Sequence, residues 1–474
     1  MEELPPRRPA TGFDSPVAIV QEPPDGLATP QRWFSIGAIG LAIAMTVLDS
    51  AIANVALPAI ARDFGAQPAE SVWIVNAYQL AIVVSLLPLA ALGEIVGYKR
   101  IYQAGLTLFT LASVACVLSH SLPALTGART LQGLGAAGVM SVNGALVRFT
   151  YPHRMLGRGI GLNAMIVSAS AALGPTVASA ILALGPWQWL FAVNIPIGLA
   201  ALAVASFALP TTPLSARRFD VLAAILNALT FGLVISGIDM LTRTTAKLAG
   251  ALETAAGLVI GAVLVRRELG QARPLLPVDL LRDPIFALSI VTSVASFAAQ
   301  MLAFVGLPFH FENSLHRSQV ETGLLLTPWP VAVALTSIIA GRLADRLPVA
   351  ILCAVGLVGL AGGLLLLAGM PPGASGFDIS WRMVVCGVGF GLFQSPNNRM
   401  MLTSAPRERA GAAGGMLATA RLTGQTIGAV MTAIFLHFLG ERGEIVGLVV
   451  AAGFAFIAAA ASLSRTALRA PAAA

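Results

Sequence analysis

The sequence predicts an all-α polytopic membrane protein in which two six-helix bundles plus two inserted helices make 14 transmembrane helices. Of its 474 residues, 57% are hydrophobic and only 11% are charged, whereas soluble domains carry about 25% charged residues. The apolar residues form many runs of bilayer length, which is the pattern of membrane-spanning helices. No run shows the alternation of a transmembrane strand, so the pattern excludes a β-barrel.

Each predicted span is an apolar run of about the length that a membrane helix requires, roughly 17–25 residues. The predicted limits are 34–61, 72–96, 101–119, 122–147, 157–183, 188–209, 219–239, 248–265, 285–311, 320–341, 349–370, 382–402, 410–437 and 445–464.

Two breaks divide this series of spans. The segment 209–213 (LPTTP) ends the sixth span, and an Arg- and Pro-rich segment at 266–284 precedes the ninth. The first 33 residues contain seven prolines and no apolar core, which is typical of a disordered tail and not of a signal peptide. The predicted organisation is a cytoplasmic tail at 1–33, an N-terminal six-helix bundle at 34–210, two inserted helices and a cytoplasmic loop at 211–284, a C-terminal six-helix bundle at 285–465 and a cytoplasmic tail at 466–474.

The basic residues predict the orientation. With the N-terminus in the cytoplasm, 21 Lys and Arg residues fall in cytoplasmic segments and 6 in external ones. This asymmetry favours an even number of spans with both termini in the cytoplasm. The net charge of +7 comes from these scattered residues, so it does not indicate a nucleic-acid partner.

Two opposite charges within the spans are the strongest functional candidates. At 1.5 Å per residue, Asp49 lies roughly 22 Å from the cytoplasmic start of the first span, and Arg129 lies roughly 10 Å from the external start of the fourth. Because these distances are measured from opposite sides of a hydrocarbon core about 30 Å thick, the two residues lie at similar depth. Ionisable residues in a membrane are usually functional, which favours Asp49 as a proton carrier or cation anchor and Arg129 as the group that controls its pKa. The alternative is a static ion pair that only fixes helix packing.

A weak internal repeat supports the division into two halves. Residues 93–100 (GEIVGYKR) follow the second span, and residues 341–346 (GRLADR) follow the second span of the last six. Duplicated halves with a central binding site are typical of transporters. The charged members are predicted to form a cytoplasmic gate, the alternative being solvated loops that only set topology: Glu94, Lys99, Arg100, Arg342, Asp345 and Arg346.

Other residues within the spans point to a hinge and a cavity. Gly174 and Pro175 remove a side chain and a backbone donor in the middle of the fifth span, which predicts a bend or a close helix contact. They are interpreted as a hinge or, alternatively, as a simple kink. Polar and aromatic side chains should partly line a cavity because lipid-facing polar groups are costly, although each could instead hold helices together. The selected cavity candidates are Tyr78, Gln79, Gln132, Trp329, Gln394 and Arg421.

Several runs of residues resemble the motifs of a known family. They are 48–58 (LDSAIANVALP), 129–135 (RTLQGLG), Gly174-Pro175, 194–198 (NIPIG) and 420–425 (ARLTGQ). In this order the sequence is similar to the 14-helix drug/proton antiporter branch of the major facilitator superfamily, over nearly all of 34–465. The resemblance implies a proton-coupled secondary transporter that exports amphipathic or cationic drugs by alternating access from a bacterial inner membrane, as a monomer.

The expected partners are thus a small-molecule substrate, protons and the lipid bilayer. The sequence contains no phosphate-binding loop, metal-ligand cluster or catalytic triad, so we expect no cofactor, no metal site and no enzymatic activity. Two alternatives stay open: a proton-coupled nutrient or metabolite carrier on the same scaffold, and a non-transporting membrane scaffold or sensor.

Overall fold

A computed structural model describes residues 25–212, 214–215, 219–242, 247–271, 274, 276–404 and 409–469. The described ranges are helical, with short connections and no strand. We number the long helices in chain order: α1 Gln31–Asp63, α2 Pro68–Val96, α3 Tyr98–Val117, α4 Leu122–Thr150, α5 Leu156–Leu184, α6 Trp189–Ala208, α7 Val221–Thr242, α8 Lys247–Glu268, α9 Pro284–Ser314, α10 Gln319–Leu343, α11 Val349–Ala368, α12 Gly376–Ser404, α13 Ala410–Leu439 and α14 Glu441–Arg469.

These helices match the predicted spans one for one, and they confirm the predicted fold class. Within the described residues, 13 helices are long and apolar enough to cross a membrane. The remaining one is α4, whose composition is more polar because it carries Arg129, Gln132 and several glycines. It packs against both α2 and α3, and the Arg129 and Gln132 side chains are fully buried there.

The chain ends differ slightly from the predicted domain limits. The first helix starts at Gln31 instead of 34, and the last continues to Arg469 instead of ending at 464. Polar and basic residues at these positions extend the helices beyond their apolar runs, as is common where a helix leaves the hydrocarbon layer. Residues 1–24 and 470–474 of the predicted tails lie outside the described part of the chain.

The two halves use the same helix pairs. In the first half, α1 packs on α5 and α6, α4 on α2 and α3, and α3 on α6. In the second half, α9 packs on α13 and α14, α12 on α10 and α11, and α11 on α14. Each bundle therefore repeats the other with an offset of eight helices, as the repeated loop segments predict.

Glycines allow the closest helix contacts in both bundles. A Cβ atom added to Gly135 on α4 would lie 2.4 Å from the Phe109 backbone nitrogen on α3. At the equivalent pair, a Cβ atom on Gly389 of α12 would lie 2.3 Å from the Leu360 backbone nitrogen on α11. Small residues let helix backbones approach in this way, so that van der Waals packing holds the helices together within the membrane.

The inserted helices form a hairpin beside the bundles. Gly237 on α7 faces Thr254 on α8, since an added Cβ atom would lie 2.5 Å from the threonine hydroxyl oxygen. Helix α7 also packs on α2 and α13. There the Asn227 side-chain amide donates a hydrogen bond to the Val84 carbonyl oxygen at 2.8 Å. The hairpin is thus attached at the seam where α2 and α13 meet.

We expect Gly135→Ala to destabilise the protein by about 1–3 kcal/mol, because the new methyl group overpacks the contact with α3. The matched control is Gly144→Ala on the same helix, where an added Cβ atom meets nothing within 4 Å. Thermal unfolding in detergent should show a lower midpoint for the first variant only. Equal midpoints would contradict the close backbone contact of α3 and α4.

Candidate functional site

A central cavity lies between the two bundles. Four helices of each bundle line it, namely α1, α2, α4 and α5 of the first and α9, α10, α12 and α13 of the second. The volume of the cavity is about 170 Å³. The described residues of α7 and α8 contribute nothing to its lining, so the inserted hairpin does not form the cavity.

The lining is mainly apolar, with neutral amides and one arginine. Of the predicted cavity residues, Tyr78, Gln79, Gln394 and Arg421 lie in the wall. The lining residues, all within the described chain, include no Asp or Glu.

Two predicted cavity residues lie elsewhere. Trp329 is fully buried behind the wall, with its ring centroid 5.1 Å from that of Phe304. Gln132 belongs to a buried polar network on α4 and is also fully enclosed. Their side chains were selected because large aromatic and polar groups often line cavities. The rotation of each helix about its own axis, which depends on tertiary packing, directs these two side chains away from the cavity.

The wall also contains three amides that were not among the selected candidates. Gln425 follows Arg421 by four residues, Gln300 lies on α9 and Asn54 lies on α1. Gln425 could have been predicted from the sequence, because residues four apart share one face of a helix and Arg421 was already a cavity candidate.

Asp49 and Arg129 are in direct contact. Arg129 Nη1 lies 2.5 Å from Asp49 Oδ2, and both side chains are only 1% exposed. The two residues, which the sequence predicts to lie at similar depth, thus form an ion pair between α1 and α4.

Neutral side chains complete the environment of this carboxylate. Asp49 Oδ1 accepts hydrogen bonds from Asn194 Nδ2 on α6 at 2.7 Å and from Gln132 Nε2 at 3.1 Å. Gln132 Oε1 accepts from Arg129 Nη1 at 2.6 Å, and Gln132 Nε2 also donates to Ser113 on α3 at 2.9 Å. We call these residues the Asp49 network. It ties α1, α3, α4 and α6 together, and it provides the donors that a buried charge needs.

The Asp49 network is separated from the cavity in this conformation. Asp49 does not line the cavity, whereas Ser50 and Tyr78 do. The Arg129 guanidinium carbon lies 4.1 Å from the centre of the Tyr78 ring, and the Tyr78 hydroxyl donates to the Thr46 carbonyl oxygen at 3.1 Å. Tyr78 therefore touches both the cavity and the ion pair, and access to Asp49 requires this wall to move.

The Gly174-Pro175 pair lies where three helices meet. A Cβ atom on Gly174 would lie 2.4 Å from Ala51 Cβ on α1. From the other side, a Cβ atom on Gly323 of α10 would lie 2.7 Å from the Pro175 carbonyl oxygen and would collide with the Ser179 side chain. The pair thus sits at a close contact within one bundle and beside a close contact between bundles.

Polar contacts also join the bundles toward one face. We call the face where α1 begins and α14 ends the terminal face, and the other the opposite face. Arg62 Nη2 and Glu312 Oε2 are 2.6 Å apart at the opposite face, and the hydroxyls of Thr176 and Thr327 are 2.9 Å apart in the same half of the molecule. These contacts hold the two bundles together toward the opposite face.

A π-helical turn at His310–Ser314 positions the glutamate of this ion pair. On the same turn, His310 Nδ1 and the Ser314 hydroxyl each lie 2.9 Å from Glu444 Oε2 on α14. The turn is thereby anchored within its own bundle while Glu312 reaches across to the other.

The predicted gate residues do not meet across the bundles at the terminal face. Lys99 donates to the Ser206 carbonyl oxygen at 2.7 Å, and Asp345 pairs with Arg399 within the C-terminal bundle. Glu94, Arg342 and Arg346 are exposed. The cytoplasmic gate therefore stays a prediction.

One buried arginine was missed by the sequence reasoning. Arg465 lies within α14 and is fully buried; its Nη1 donates to Ser289 at 2.8 Å and to Asn397 at 2.7 Å. It joins α9, α12 and α14. Because the apolar run ends at Leu463-Ser464, the sequence predicted that Arg465 lies in a loop. The polar residue Asn397 within the twelfth span was the one sign that a buried polar partner was needed there.

The family model described as the Major Facilitator Superfamily matches residues 39–429. The chain belongs to the Major Facilitator Superfamily. It is 52% identical over 440 residues to the uncharacterized transporter YebQ of Escherichia coli (strain K12), covering 92% of this chain and 96% of that one. It is 32% identical over 413 residues to the multidrug resistance protein Stp of Mycobacterium tuberculosis, covering 86% and 76%.

The fold of this superfamily transporter is also similar to a solved structure. A bacterial homologue of the human lysosomal transporter Spinster superposes with a TM-score of 0.67 at 16% identity, covering 94% of this chain and all of that one. The family model and the relatives at 52% and 32% identity confirm the predicted family, and the protein is a multi-pass membrane transporter.

We expect Asp49→Ala and Arg129→Ala each to destabilise the protein by about 3–5 kcal/mol, because each leaves a buried charge unpaired. The double variant should be less destabilised than the sum of the two. The control is the exposed Asp345–Arg399 pair, where the same substitutions should cost about 1 kcal/mol or less. Thermal unfolding in detergent provides the comparison, and additive losses at Asp49 and Arg129 would contradict a direct interaction.

We expect Arg62→Glu to weaken closure of the opposite face, because it turns the attraction to Glu312 into repulsion. Loss of about 1 kcal/mol would raise the open population roughly fivefold. The measurement is labelling of Asn54→Cys in the cavity wall by an impermeant maleimide applied from the opposite face. Adding Glu312→Arg should restore the slow rate, and a double variant that labels as fast as the single would argue against this closure contact.

Proposed function

We propose that this transporter exports amphipathic small molecules from the bacterial cytoplasm across the inner membrane in exchange for protons. The observation that carries the proposal is a cavity between the bundles with an ion pair, Asp49 and Arg129, directly behind its wall. A cavity that both halves share can be exposed to either side in turn when the halves rock against each other.

The direction of transport rests on charge and on relatives. The distribution of basic residues in the sequence supports a cytoplasmic terminal face. The Arg62–Glu312 contact at the opposite face would then close the external side while cargo binds from inside the cell. A relative named a multidrug resistance protein supports export of that cargo. The expectation from the family resemblance included cationic drugs, but the described cavity wall offers a cation no carboxylate, so we restrict the proposal to amphipathic molecules.

The proposed coupling acts through the wall and not by direct competition at Asp49. In the inward-open state the carboxylate is charged and paired with Arg129. Protonation from outside would remove that charge and weaken its attraction for the arginine. Because Tyr78 touches Arg129 and also lines the cavity, rearrangement of the pair would change the wall where cargo binds. Release of the proton to the cytoplasm would restore the pair and reset the site.

The hinge and the gates complete this cycle. The contacts of Gly174 with Ala51 and of Gly323 with Pro175 would act as the surface on which the bundles rock. Arg62 and Glu312 would separate as the opposite face opens, while the charged loops at Glu94 and Asp345 would approach each other as the terminal face closes.

The test is proton efflux from energised everted vesicles on addition of acidic, neutral or cationic amphiphilic dyes, followed with a pH-sensitive fluorophore. At least one class should drive efflux with the native protein, and Asp49→Asn should reduce it to the level of vesicles lacking the protein. The matched control is Glu253→Gln, a carboxylate on α8 that bonds to Ser236 at 2.5 Å, away from the cavity.

If Asp49→Asn is well expressed and shows normal dye-driven proton efflux, the ion pair serves only to pack the helices. If no class of dye changes the rate of proton efflux, drug export is rejected, and a nutrient carrier or a non-transporting protein is favoured. Movement of dye out of the vesicle lumen would reverse the proposed direction.

A further inference from the structure

Arg421 gives the central cavity a positive charge. It is the one charged residue among those that line the cavity in the described chain. The other polar members of the wall are neutral amides and hydroxyls, such as Gln394, Gln425 and Ser50. The Asp49 network behind the wall contains one acid and one base, so it does not offset this charge.

The guanidinium of Arg421 has no protein partner among the described residues. Its Nε is shielded from solvent and lacks an acceptor. The two fully buried arginines differ in this respect: Arg129 is paired with Asp49, and Arg465 bonds to Ser289 and Asn397. Roughly 90% or more of the buried polar groups in native proteins have a hydrogen-bond partner, so an arginine that faces a cavity with its whole guanidinium unpaired indicates a missing ligand.

The chemistry of that ligand follows from the groups around the arginine. A guanidinium offers a planar set of donors that fits carboxylate, sulfonate or phosphate oxygens, and it carries its charge at every physiological pH. Phe297, Phe304 and Phe390 in the same wall supply apolar surface. Aromatic rings can also attract cations, but repulsion between a cation and a full positive charge at low dielectric is stronger than that attraction.

We propose that Arg421 is an anion-binding subsite of the cavity and that the cargo is an amphipathic organic acid, with an aromatic or aliphatic body and one acidic group. This inference rests on the proposed transport function and narrows its substrate class. The acidic group would bind Arg421, the body would contact the phenylalanines, and Gln425, four residues further along α13, would donate a second hydrogen bond.

Binding of matched probes to the purified full-length protein in nanodiscs tests this subsite. Anilinonaphthalene sulfonate and N-phenylnaphthylamine share one aromatic body, and only the first carries an anionic group. We expect the native protein to bind the sulfonate at least about tenfold more tightly, the difference typical of a charge-assisted contact. Ethidium, a cationic aromatic probe, should bind most weakly.

Substitutions of the arginine separate its charge from its packing. We expect Arg421→Gln to lose the preference for the sulfonate while keeping its affinity for the neutral probe, and Arg421→Lys to retain part of the preference. The control is Arg382→Gln, which removes a positive charge that pairs with Asp378 outside the cavity. Size-exclusion chromatography identifies variants that fail to fold, and the comparison of the three probes on the native protein stands without them.

An anionic lipid headgroup could supply the same acidic chemistry as a free organic acid. The discs are therefore made first with phosphatidylcholine alone and then with added phosphatidylglycerol. Sulfonate binding that is tight in the first and unchanged in the second supports a soluble acid as the ligand. Displacement of the sulfonate by phosphatidylglycerol would identify the lipid as the occupant and overturn the substrate assignment.

Equal affinity for the sulfonate and the neutral probe, no binding of either, or preference for ethidium would overturn the anion subsite. An equal loss of both naphthalene probes in Arg421→Gln would assign the arginine a packing role. These outcomes are distinct from failure of the transport proposal, which is decided by proton efflux and Asp49→Asn. Efflux driven by cationic dyes alone would keep proton-coupled export and reject the acidic cargo.

Discussion

Pairing of Asp49 with Arg129 is the constraint on which the N-terminal bundle depends. Either charge alone would be costly in the middle of a membrane, so α1 and α4 must approach to hydrogen-bonding distance. Asn194 and Gln132 then supply the remaining donors to the carboxylate. Since these groups come from separate helices, satisfying one buried charge fixes the relative positions of much of the bundle.

Two kinds of contact hold the helices together. Within each bundle, backbone approaches at Gly135 and Gly389 leave no room for adjustment. Between the bundles, an ion pair of Arg62 with Glu312 and a hydroxyl contact at Thr176 lie toward the opposite face, beside the close approach of Gly323 to α5. The polar contacts can be exchanged for others at modest cost, whereas close backbone packing cannot.

The proposed proton site and the proposed cargo site lie in different bundles. The acid that would carry the proton is in the first bundle, held behind Tyr78. The arginine that would receive the cargo is in the second bundle, on α13. Proton and cargo therefore need not occupy one position. The proposed coupling therefore acts through the helices that form the cavity wall.

The sequence by itself determined the fold class, the number of helices and the depth of Asp49 and Arg129. Apolar length, the ends of the runs and the rise per residue of a helix are local properties, and the hydrocarbon layer makes them decisive. Only the tertiary structure decided which side chains face the cavity. Gln132 and Trp329 turned inward to the bundles, and Arg465 was buried although its sequence position suggested a loop. Which face a helix presents depends on partners distant in sequence, and a nearly uniform apolar helix carries little local pattern to encode that rotation.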